Sequence, residues 1–390
     1  MKKLIKMSVL LLVLSLLLSL SGVSVCATNK AYEMTVAPAP AVNCRSAILI
    51  EARTGQILYE QNADEALPPA SVTKIMTLLL VMEAIEAGQI KYTDMVTASA
   101  NACSMGGSQI YLKEGEQMSV EDMIKSVVIA SANDAAVALA EHIAGSEDAF
   151  VELMNERAKA LGMVNTNFQN TNGLDDTADN HVTSARDISI MSRELIKHKK
   201  ITEYSSIWMD TVRDGQFCLT NTNRLVRFYK GATGLKTGST SKAGFCISAT
   251  AERNGMSLIC VIMAAQTRDI RNGAATALLD WGFSNHSVYE APDVELKALK
   301  VVGGKKHSVE LDFERFVAVI DKSSASKVKY SIELPENITA PIKKGDPIGN
   351  IKYTVNEEKI GSVDIFAKEN IGKISFLDVL LRLFCAVSIN

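Results

Sequence analysis

The stretch PPASVTKIMTLLLVMEA, residues 68–84, predicts a buried helix that carries a lysine inside an apolar wall. Two prolines precede it and Ser71 stands near its start, which is typical of a helix N-terminus. Lys74 follows three residues later, and residues i and i+3 share one face of a helix, so the amine can reach the hydroxyl. Apolar surroundings lower the pKa of a lysine. A neutral Lys74 could then take the proton of Ser71 and make it a nucleophile.

The alternative is purely structural: Ser71 caps the helix, and Lys74 extends its amine into solvent. The spacing does not decide between the two, because Ser-x-x-Lys occurs four times in the chain. The other three pairs are Ser239–Lys242, Ser324–Lys327 and Ser326–Lys329. Only the Ser71 pair begins an apolar helical run.

Two further motifs follow in the chain. Ser131-Ala132-Asn133 falls at a break between two predicted helices within residues 119–143, where side chains can project into a cleft. Lys236-Thr237-Gly238 lies on a predicted strand; its lysine can hold a substrate carboxylate, and Gly238 lets a substrate backbone approach the strand edge. Each is weak alone, since Ser-x-Asn recurs at Ser99–Asn101 and Ser388–Asn390 and a strand-end lysine is often a surface residue.

The ordered set is much more specific than its parts, and closely related sets occur in penicillin-binding proteins and class A β-lactamases. With PASVTKIMT, GSQIYLKEGEQMSVEDMI, ASANDAAVALAEHIAG, NTNGLDD and TNRLVRFYKGATGLKTGST, the chain resembles the low-molecular-mass penicillin-binding proteins, the D-alanyl-D-alanine carboxypeptidases. The resemblance covers nearly the whole chain. Ala132 departs from it, since many members carry glycine there.

The resemblance implies an α/β (α+β) penicillin-binding/β-lactamase-like transpeptidase domain, with an antiparallel sheet, helices on both faces and a helical subdomain. It also implies the reaction. Ser71 would attack the penultimate carbonyl of a peptidoglycan stem peptide ending in D-Ala-D-Ala, with Lys74 as base. Ser131 would pass a proton to the leaving D-alanine, and Asn133 would hold the peptide amide. β-Lactam antibiotics would acylate Ser71 and leave slowly.

The same resemblance assigns the carboxylate end of the site. Lys236 and Thr237 would bind the terminal carboxylate, and Arg271, in TRDIRNGAATALLDWGF, would support them. The backbone N–H groups of Ser71 and Ser239 would form the oxyanion hole. No cofactor enters this chemistry.

Three rival functions stay open. A class A β-lactamase needs a glutamate after Ser-x-Asn, and VNTNFQNTNGL, residues 164–174, contains no acid. A D,D-transpeptidase differs only in what accepts the acyl group. A non-catalytic β-lactam sensor or scaffold would be expected to lose part of the set or to carry spanning segments.

The chain divides into four predicted regions. Residues 1–27 read as a signal peptide, with lysines, an apolar run and a Val25-Cys26-Ala27 cleavage site, the alternative being an uncleaved anchor. Residues 28–285 would form the catalytic domain and residues 286–368 a small β-sandwich-like domain. Residues 369–390 would form an amphipathic helix in a membrane surface, or else a terminal helix packed on the β-domain. The protein would then work at the outer face of the cytoplasmic membrane.

Composition excludes some other classes. The 390 residues carry a net charge of −3 and no basic block, which argues against nucleic-acid binding. The five histidines are scattered and Cys-x-x-Cys is absent, which argues against a metal site. Cys246 and Cys260 lie in apolar strand-like runs, where cysteine behaves as a small hydrophobe, so we expect no disulfide framework from the seven cysteines.

Strand patterns place the predicted sheet. SAILIEARTGQILYE, residues 46–60, predicts a β-hairpin. Three more strands follow from residue 232, with Asn254-Gly255 as a hairpin turn. Because these strands flank a helical middle, we expect them to pair into one sheet.

Overall fold

A five-stranded antiparallel sheet forms the centre of the first part of the chain. The computed structural model describes residues 37–175 and 179–380. The strands of this sheet are β1 (Ser46–Glu51), β2 (Ile57–Gln61), β3 (Ala232–Thr240), β4 (Gly244–Arg253) and β5 (Met256–Ala265). They lie in the order β2-β1-β5-β4-β3, so strands from both ends of the segment pair, as the sequence predicts.

Two turns confirm the hairpin predictions. The β1–β2 pair is antiparallel, and Ala47 lies opposite Gln61. Asn254 and Gly255 join β4 to β5 with φ of 52° and 74°. Positive φ at both central residues is the conformation that a two-residue hairpin turn requires and that the Asn-Gly pair adopts most easily.

Helices cover both faces of the sheet. Helix α6 (Arg268–Asn285) packs on one face and α5 (Ala185–Leu195) on the other. Strand β1 is buried at every position, and its residues alternate between the two cores, Ile48 on the α5 side and Leu49 on the α6 side. A strand covered on both faces has no polar side, which explains its continuous apolar run.

A helical layer beside the sheet contains α1 (Lys74–Glu86), α2 (Val120–Ile129), α3 (Asn133–Ala144) and α4 (Glu147–Ala160). Serine side chains cap α2 and α5: the Ser119 hydroxyl accepts from the Asp122 N–H and that of Ser184 from the Asp187 N–H. The shorter helices and strand pairs of this region are Ala100–Cys103, Lys199–Ser205, Leu225–Phe228, Met95–Thr97 with Gln117–Ser119, and Met209–Val212 with Phe217–Thr220.

The last part of the described chain is all β, apart from the 3₁₀ turn Lys322–Lys327 and a terminal helical turn. Its four-stranded sheet contains, in spatial order, Leu311–Phe313, Glu358–Ala367, Pro347–Val355 and Val328–Glu333. A three-stranded sheet contains Ser308–Val309, Leu299–Val302 and Asn337–Thr339. A two-stranded sheet pairs His286–Glu290 with Val317–Asp321. Phe316 stacks on Tyr353 in its core, with ring centroids 4.2 Å apart. The limits 28–285 and 286–368 stay predictions.

Val317–Asp321 and Pro347–Val355 are among the strands that were not predicted from the sequence. Val317–Asp321 is a short apolar run without period-two alternation, because it pairs with His286–Glu290 where both faces are partly covered. Pro347–Val355 begins with a proline and contains Gly349, which read as loop signals. Both strands became recognisable only from their partners.

Several sequence predictions fall outside the described residues. The signal peptide, residues 1–27, is one of them. For the terminal helix, residues 376–380 are helical, and residues 381–390 lie outside the described part. Ser375 caps this turn by accepting from the Asp378 N–H, and Phe376 is 84% exposed. Within the described ranges, no helix has the length and apolarity needed to cross a membrane. The five described cysteines are free, at Cys44, Cys103, Cys218, Cys246 and Cys260.

The contact of α6 with the sheet predicts that substitutions at two glycines of this helix change the free energy of unfolding by different amounts. A Cβ at Gly282 would lie 2.8 Å from Leu258 Cδ1 and 2.9 Å from Leu49 Cδ2, both in the buried core, whereas Gly273 has nothing within 4 Å. We expect Gly282→Val to lower the free energy of unfolding by about 1–3 kcal/mol through overpacking. Gly273→Val should change it by less than about 0.5 kcal/mol. Urea unfolding of both variants tests this, and equal effects would contradict it.

Candidate active site

Ser71 and Lys74 lie at the junction of two helical segments. The predicted helix start is in fact a 3₁₀ turn, Ala70–Thr73, followed by α1 from Lys74. Lys74 Nζ is 2.9 Å from Ser71 Oγ and donates to the Asn172 carbonyl at 2.7 Å. Lys74 is fully buried, so the alternative of a solvent-directed lysine is wrong.

The surroundings of the Lys74 amine favour its neutral form. Burial lowers its pKa well below the ordinary value, and the positive charge of Lys236 lowers it further. Asp134 opposes this shift, but its carboxylate accepts from the backbone N–H groups of Ile110, Leu112 and Ala135. A neutral amine 2.9 Å from a hydroxyl is placed to accept its proton.

Ser131 faces the second lysine of the site. It occupies the break between α2 and α3 and has a left-handed backbone, with φ of 64°. Such a conformation costs a non-glycine residue of order 1 kcal/mol or more, and the surrounding structure must impose it. Lys236 Nζ donates to Ser131 Oγ at 2.9 Å. The structure therefore brings the predicted Ser131 and Lys236 together.

Asn133 presents an unsatisfied acceptor. Its Nδ2 donates to the Gly106 carbonyl at 2.7 Å, which fixes the orientation of the amide. Its Oδ1 is buried and has no hydrogen-bond partner within the described residues. A buried acceptor without a partner is costly. An N–H group of a bound molecule would satisfy it.

Lys236 and Arg271 place two more cations in the interior. Lys236 is buried on β3, and burial together with the charge of Arg271 lowers its pKa to about 7. Arg271 is 2% exposed and donates only to neutral oxygens, those of the Asn272 side chain and the Cys246 carbonyl. Across residues 37–175 and 179–380, neither cation forms an ion pair with a carboxylate. Buried cations without acidic partners favour an anionic ligand.

The strand that carries Lys236 also supports the nucleophile. A Cβ at Gly238 would lie 2.8 Å from the Ser71 nitrogen and 2.9 Å from the Val72 nitrogen. The neighbour of Gly238 is therefore the Ser71 turn itself. A glycine is needed here because of this close contact, whereas the sequence suggested the approach of a substrate backbone. Thr237 Oγ1 contacts Thr222 Oγ1 at 2.8 Å, and Ser239 is exposed at the next position of β3.

The loop of residues 170–173 completes the site. In the sequence, this loop was notable only because it lacks acidic residues. The Asn172 carbonyl accepts from Lys74, and the Thr171 carbonyl accepts from Thr77 Oγ1 at 2.6 Å. A Cβ at Gly173 would lie 1.9 Å from the Ala70 carbonyl oxygen, so the loop backbone lies against the Ser71 turn. The Asn-Gly pair predicts a turn, but nothing in the sequence shows that its carbonyl meets a lysine.

His181 supports the same turn from behind. Its Nδ1 accepts from the Gln169 N–H, at 3.0 Å. Thr73 Oγ1 donates to the Ala70 carbonyl, so the Nε2–H of His181 donates to Thr73 Oγ1, at 2.7 Å. Burial lowers the pKa of His181 to about 4, because a charged ring is poorly solvated there. The sequence offered no signal for this residue.

The site has the parts of a serine acyl-transfer centre: a hydroxyl beside a neutral amine, a second serine on a second lysine, and a cationic interior. In the part of the chain that the structure describes, no group of three or more His, Cys, Asp or Glu is arranged to hold a metal ion.

Comparison with known proteins agrees with this geometry. The D-alanyl-D-alanine carboxypeptidase family model matches residues 33–267, and that of the penicillin-binding protein 5 C-terminal domain matches residues 283–373. D-alanyl-D-alanine carboxypeptidase DacF of Bacillus subtilis is 43% identical over 346 residues, 87% of this chain and 88% of that protein. Penicillin-binding protein 5 from Haemophilus influenzae has a TM-score of 0.80 and 35% identity, covering 87% of this chain and all of that one. The ampicillin-bound penicillin-binding protein D2 from Listeria monocytogenes has a TM-score of 0.58 and 32% identity, covering 63% of this chain and all of that one.

The buried imidazole predicts a stability loss in acid. The pKa of His181 is about 4 in the folded protein and 6.5 when unperturbed. Between these values the unfolded chain binds a proton that the folded protein does not, so stability falls as the pH drops from 6.5 towards 4, by about 3 kcal/mol in all. The free energy of unfolding of wild type exceeds that of His181→Gln, and this difference should shrink by about this amount between these pH values, as measured by urea unfolding. The matched variant His142→Gln, at an exposed position, should keep the wild-type pH dependence. A His181→Gln variant with that same dependence would contradict the assignment.

Proposed function

Since the chain belongs to the D-alanyl-D-alanine carboxypeptidase family, we propose that it removes the terminal D-alanine from peptidoglycan stem pentapeptides through an acyl-enzyme on Ser71. The observation that carries this proposal is the fully buried Lys74 amine, 2.9 Å from the Ser71 hydroxyl. A serine there is a nucleophile with its base already in place.

Acylation uses the contacts of the two lysines. Lys74 takes the proton from Ser71 Oγ, which attacks the penultimate carbonyl, and the Asn172 carbonyl stabilises the ammonium that forms. The backbone N–H groups of Ser71 and Ser239 receive the oxyanion, each contributing about 3 kcal/mol. Ser131 then relays a proton to the departing nitrogen and regains one from the Lys74 ammonium, which becomes neutral again, and the peptide bond breaks to release D-alanine.

Recognition uses the rest of the site. The cationic Lys236 and Arg271, with Thr237, bind the terminal carboxylate, and their lack of acidic partners in the described structure supports this role. The free Oδ1 of Asn133 accepts the peptide N–H. Gly238 holds the strand close enough to the Ser71 turn for both ends of the peptide to be bound at once.

Water completes the reaction by attacking the ester on Ser71, and its oxygen enters the new carboxylate of the shortened peptide. A β-lactam would also acylate Ser71 and leave slowly, since residues 164–174 supply no acid of the kind with which class A β-lactamases activate water. The ampicillin complex of the Listeria relative supports β-lactam binding here.

We further propose that the enzyme acts outside the cytoplasm. Residues 1–27 have the composition of a signal peptide. At the other end, Phe376 and Leu377 are 84% and 64% exposed at the start of the terminal helix, which supports contact with a membrane surface.

D-Alanine release from a soluble pentapeptide tests the reaction. Ser71→Ala should release none, and Lys74→Met should lose about 10³-fold in kcat because the base is removed. The matched control is Ser324→Ala, a serine with the same spacing to a lysine and no role in the site, and it should keep wild-type activity and labelling by fluorescent penicillin. Release by Ser71→Ala equal to wild type would overturn the proposal, and rapid penicillin turnover would favour a β-lactamase.

The charge of Lys236 predicts pH-dependent binding. Because its pKa is about 7, the amine loses its charge as the pH rises through this value and attracts a carboxylate less. We expect the Kd of a D-Ala-D-Ala peptide for the Ser71→Ala variant to rise about tenfold between about pH 6 and pH 9. The same peptide with a C-terminal amide should show no such rise. A carboxylate peptide with constant Kd would contradict this role.

A further inference from the structure

Two arginines beside the site have no acidic partner. Arg224 directly precedes the short helix Leu225–Phe228 and Arg227 lies within it, and both are exposed. Within the described ranges, neither guanidinium forms an ion pair or a hydrogen bond to a carboxylate. Most other exposed arginines in the described part of the chain do pair with an acid, as Arg45 does with Glu65. Their donors are therefore free to bind an external anion.

Both guanidiniums lie over aromatic rings. Arg227 is 5.3 Å from the Trp208 ring and 5.5 Å from the Phe228 ring, and Arg224 is 5.6 Å from the Phe228 ring. Phe228 is 67% exposed and meets Trp208 edge to face, with centroids 6.4 Å apart. The stacking orients each guanidinium without using the N–H groups at its edge. We call these four residues the arginine–aromatic surface.

The chain that carries this surface also builds the substrate site. Thr222, two residues before Arg224, contacts Thr237 Oγ1 with its hydroxyl and donates its N–H to the Ile129 carbonyl, close to Ser131. Asn223 donates to the Gly234 carbonyl at 2.8 Å. The surface is thus fixed at the rim of the site, next to the strand end that binds the substrate carboxylate.

We propose that the arginine–aromatic surface binds the peptidoglycan polymer next to the stem peptide that is being cleaved. This inference rests on the proposed function. Neighbouring stem peptides carry carboxylates, which pair with guanidinium groups, and the glycan offers apolar sugar faces, which pack on exposed rings. We expect a free pentapeptide to occupy the site without reaching this surface, so that the gain in affinity is specific to the polymer.

The test compares a soluble pentapeptide with insoluble pentapeptide-rich peptidoglycan. We expect the double variant Arg224→Ala/Arg227→Ala to raise KM about tenfold on the polymer and less than about twofold on the soluble peptide. Added salt should raise the wild-type KM on the polymer and leave that of the variant nearly unchanged. The matched control Lys343→Ala/Lys344→Ala removes the same charge from exposed positions in the β-rich part and should behave as wild type.

A second measurement separates this inference from the reaction itself. The Ser71→Ala variant should co-sediment with peptidoglycan, and adding the two arginine substitutions should release it. If wild type cleaves nothing but this binding holds, the proposed function fails and the surface stands. The inference would be overturned if the double variant kept the wild-type KM on the polymer. It would also be overturned if the lysine control showed an equal rise in KM, or if the double variant showed an equal rise on the soluble peptide.

Discussion

The burial of one amine is the constraint on which the site depends. Lys74 can act as a base only while it is uncharged, and its complete burial favours that form by lowering the pKa of the amine. Three backbone segments provide this burial: the 3₁₀ turn, the loop at Asn172–Gly173 and the strand at Gly238. Two of them approach closely enough that only glycine fits. The chemistry of a side chain is thus set by the paths of main chains that are distant in sequence.

The same site concentrates positive charge that its own residues do not neutralise. Lys236 and Arg271 are buried without an ion pair to a carboxylate in the described structure, which costs folding free energy. The sheet, covered on both faces by helices, supplies the apolar burial that offsets this cost. An unliganded site of this kind is strained electrostatically and relaxes when an anion enters. Under the proposed role of Lys236 and Arg271 in binding the substrate carboxylate, stability and substrate affinity are opposed at the same residues.

The sequence predicted what depends on short spacing and ordered motifs. Ser71, Lys74, Ser131, Asn133 and Lys236 were named from motifs and resemblance, and the hairpin at Asn254-Gly255 from its turn chemistry. It did not show the Asn172 carbonyl or His181, because a main-chain acceptor has no residue type and a lone histidine has no pattern. The sequence suggested a substrate backbone as the neighbour of Gly238. The structure places the Ser71 turn there, which the sequence did not show because this turn lies far away in the chain. Strands that are recognisable only from their partners, such as Val317–Asp321, were missed for the same reason.

The contact between Gly173 and Ala70 also bears on how such a site could evolve. The loop backbone occupies the space beside the nucleophile, and its Asn172 carbonyl already takes one hydrogen of the Lys74 amine. A Cβ at position 173 would meet the Ala70 carbonyl oxygen, so this position cannot carry a carboxylate while the loop keeps its course. Under the proposed function, an acid that activates water from position 173 would therefore need a loop of different shape, which an insertion or deletion can provide and a side chain alone cannot.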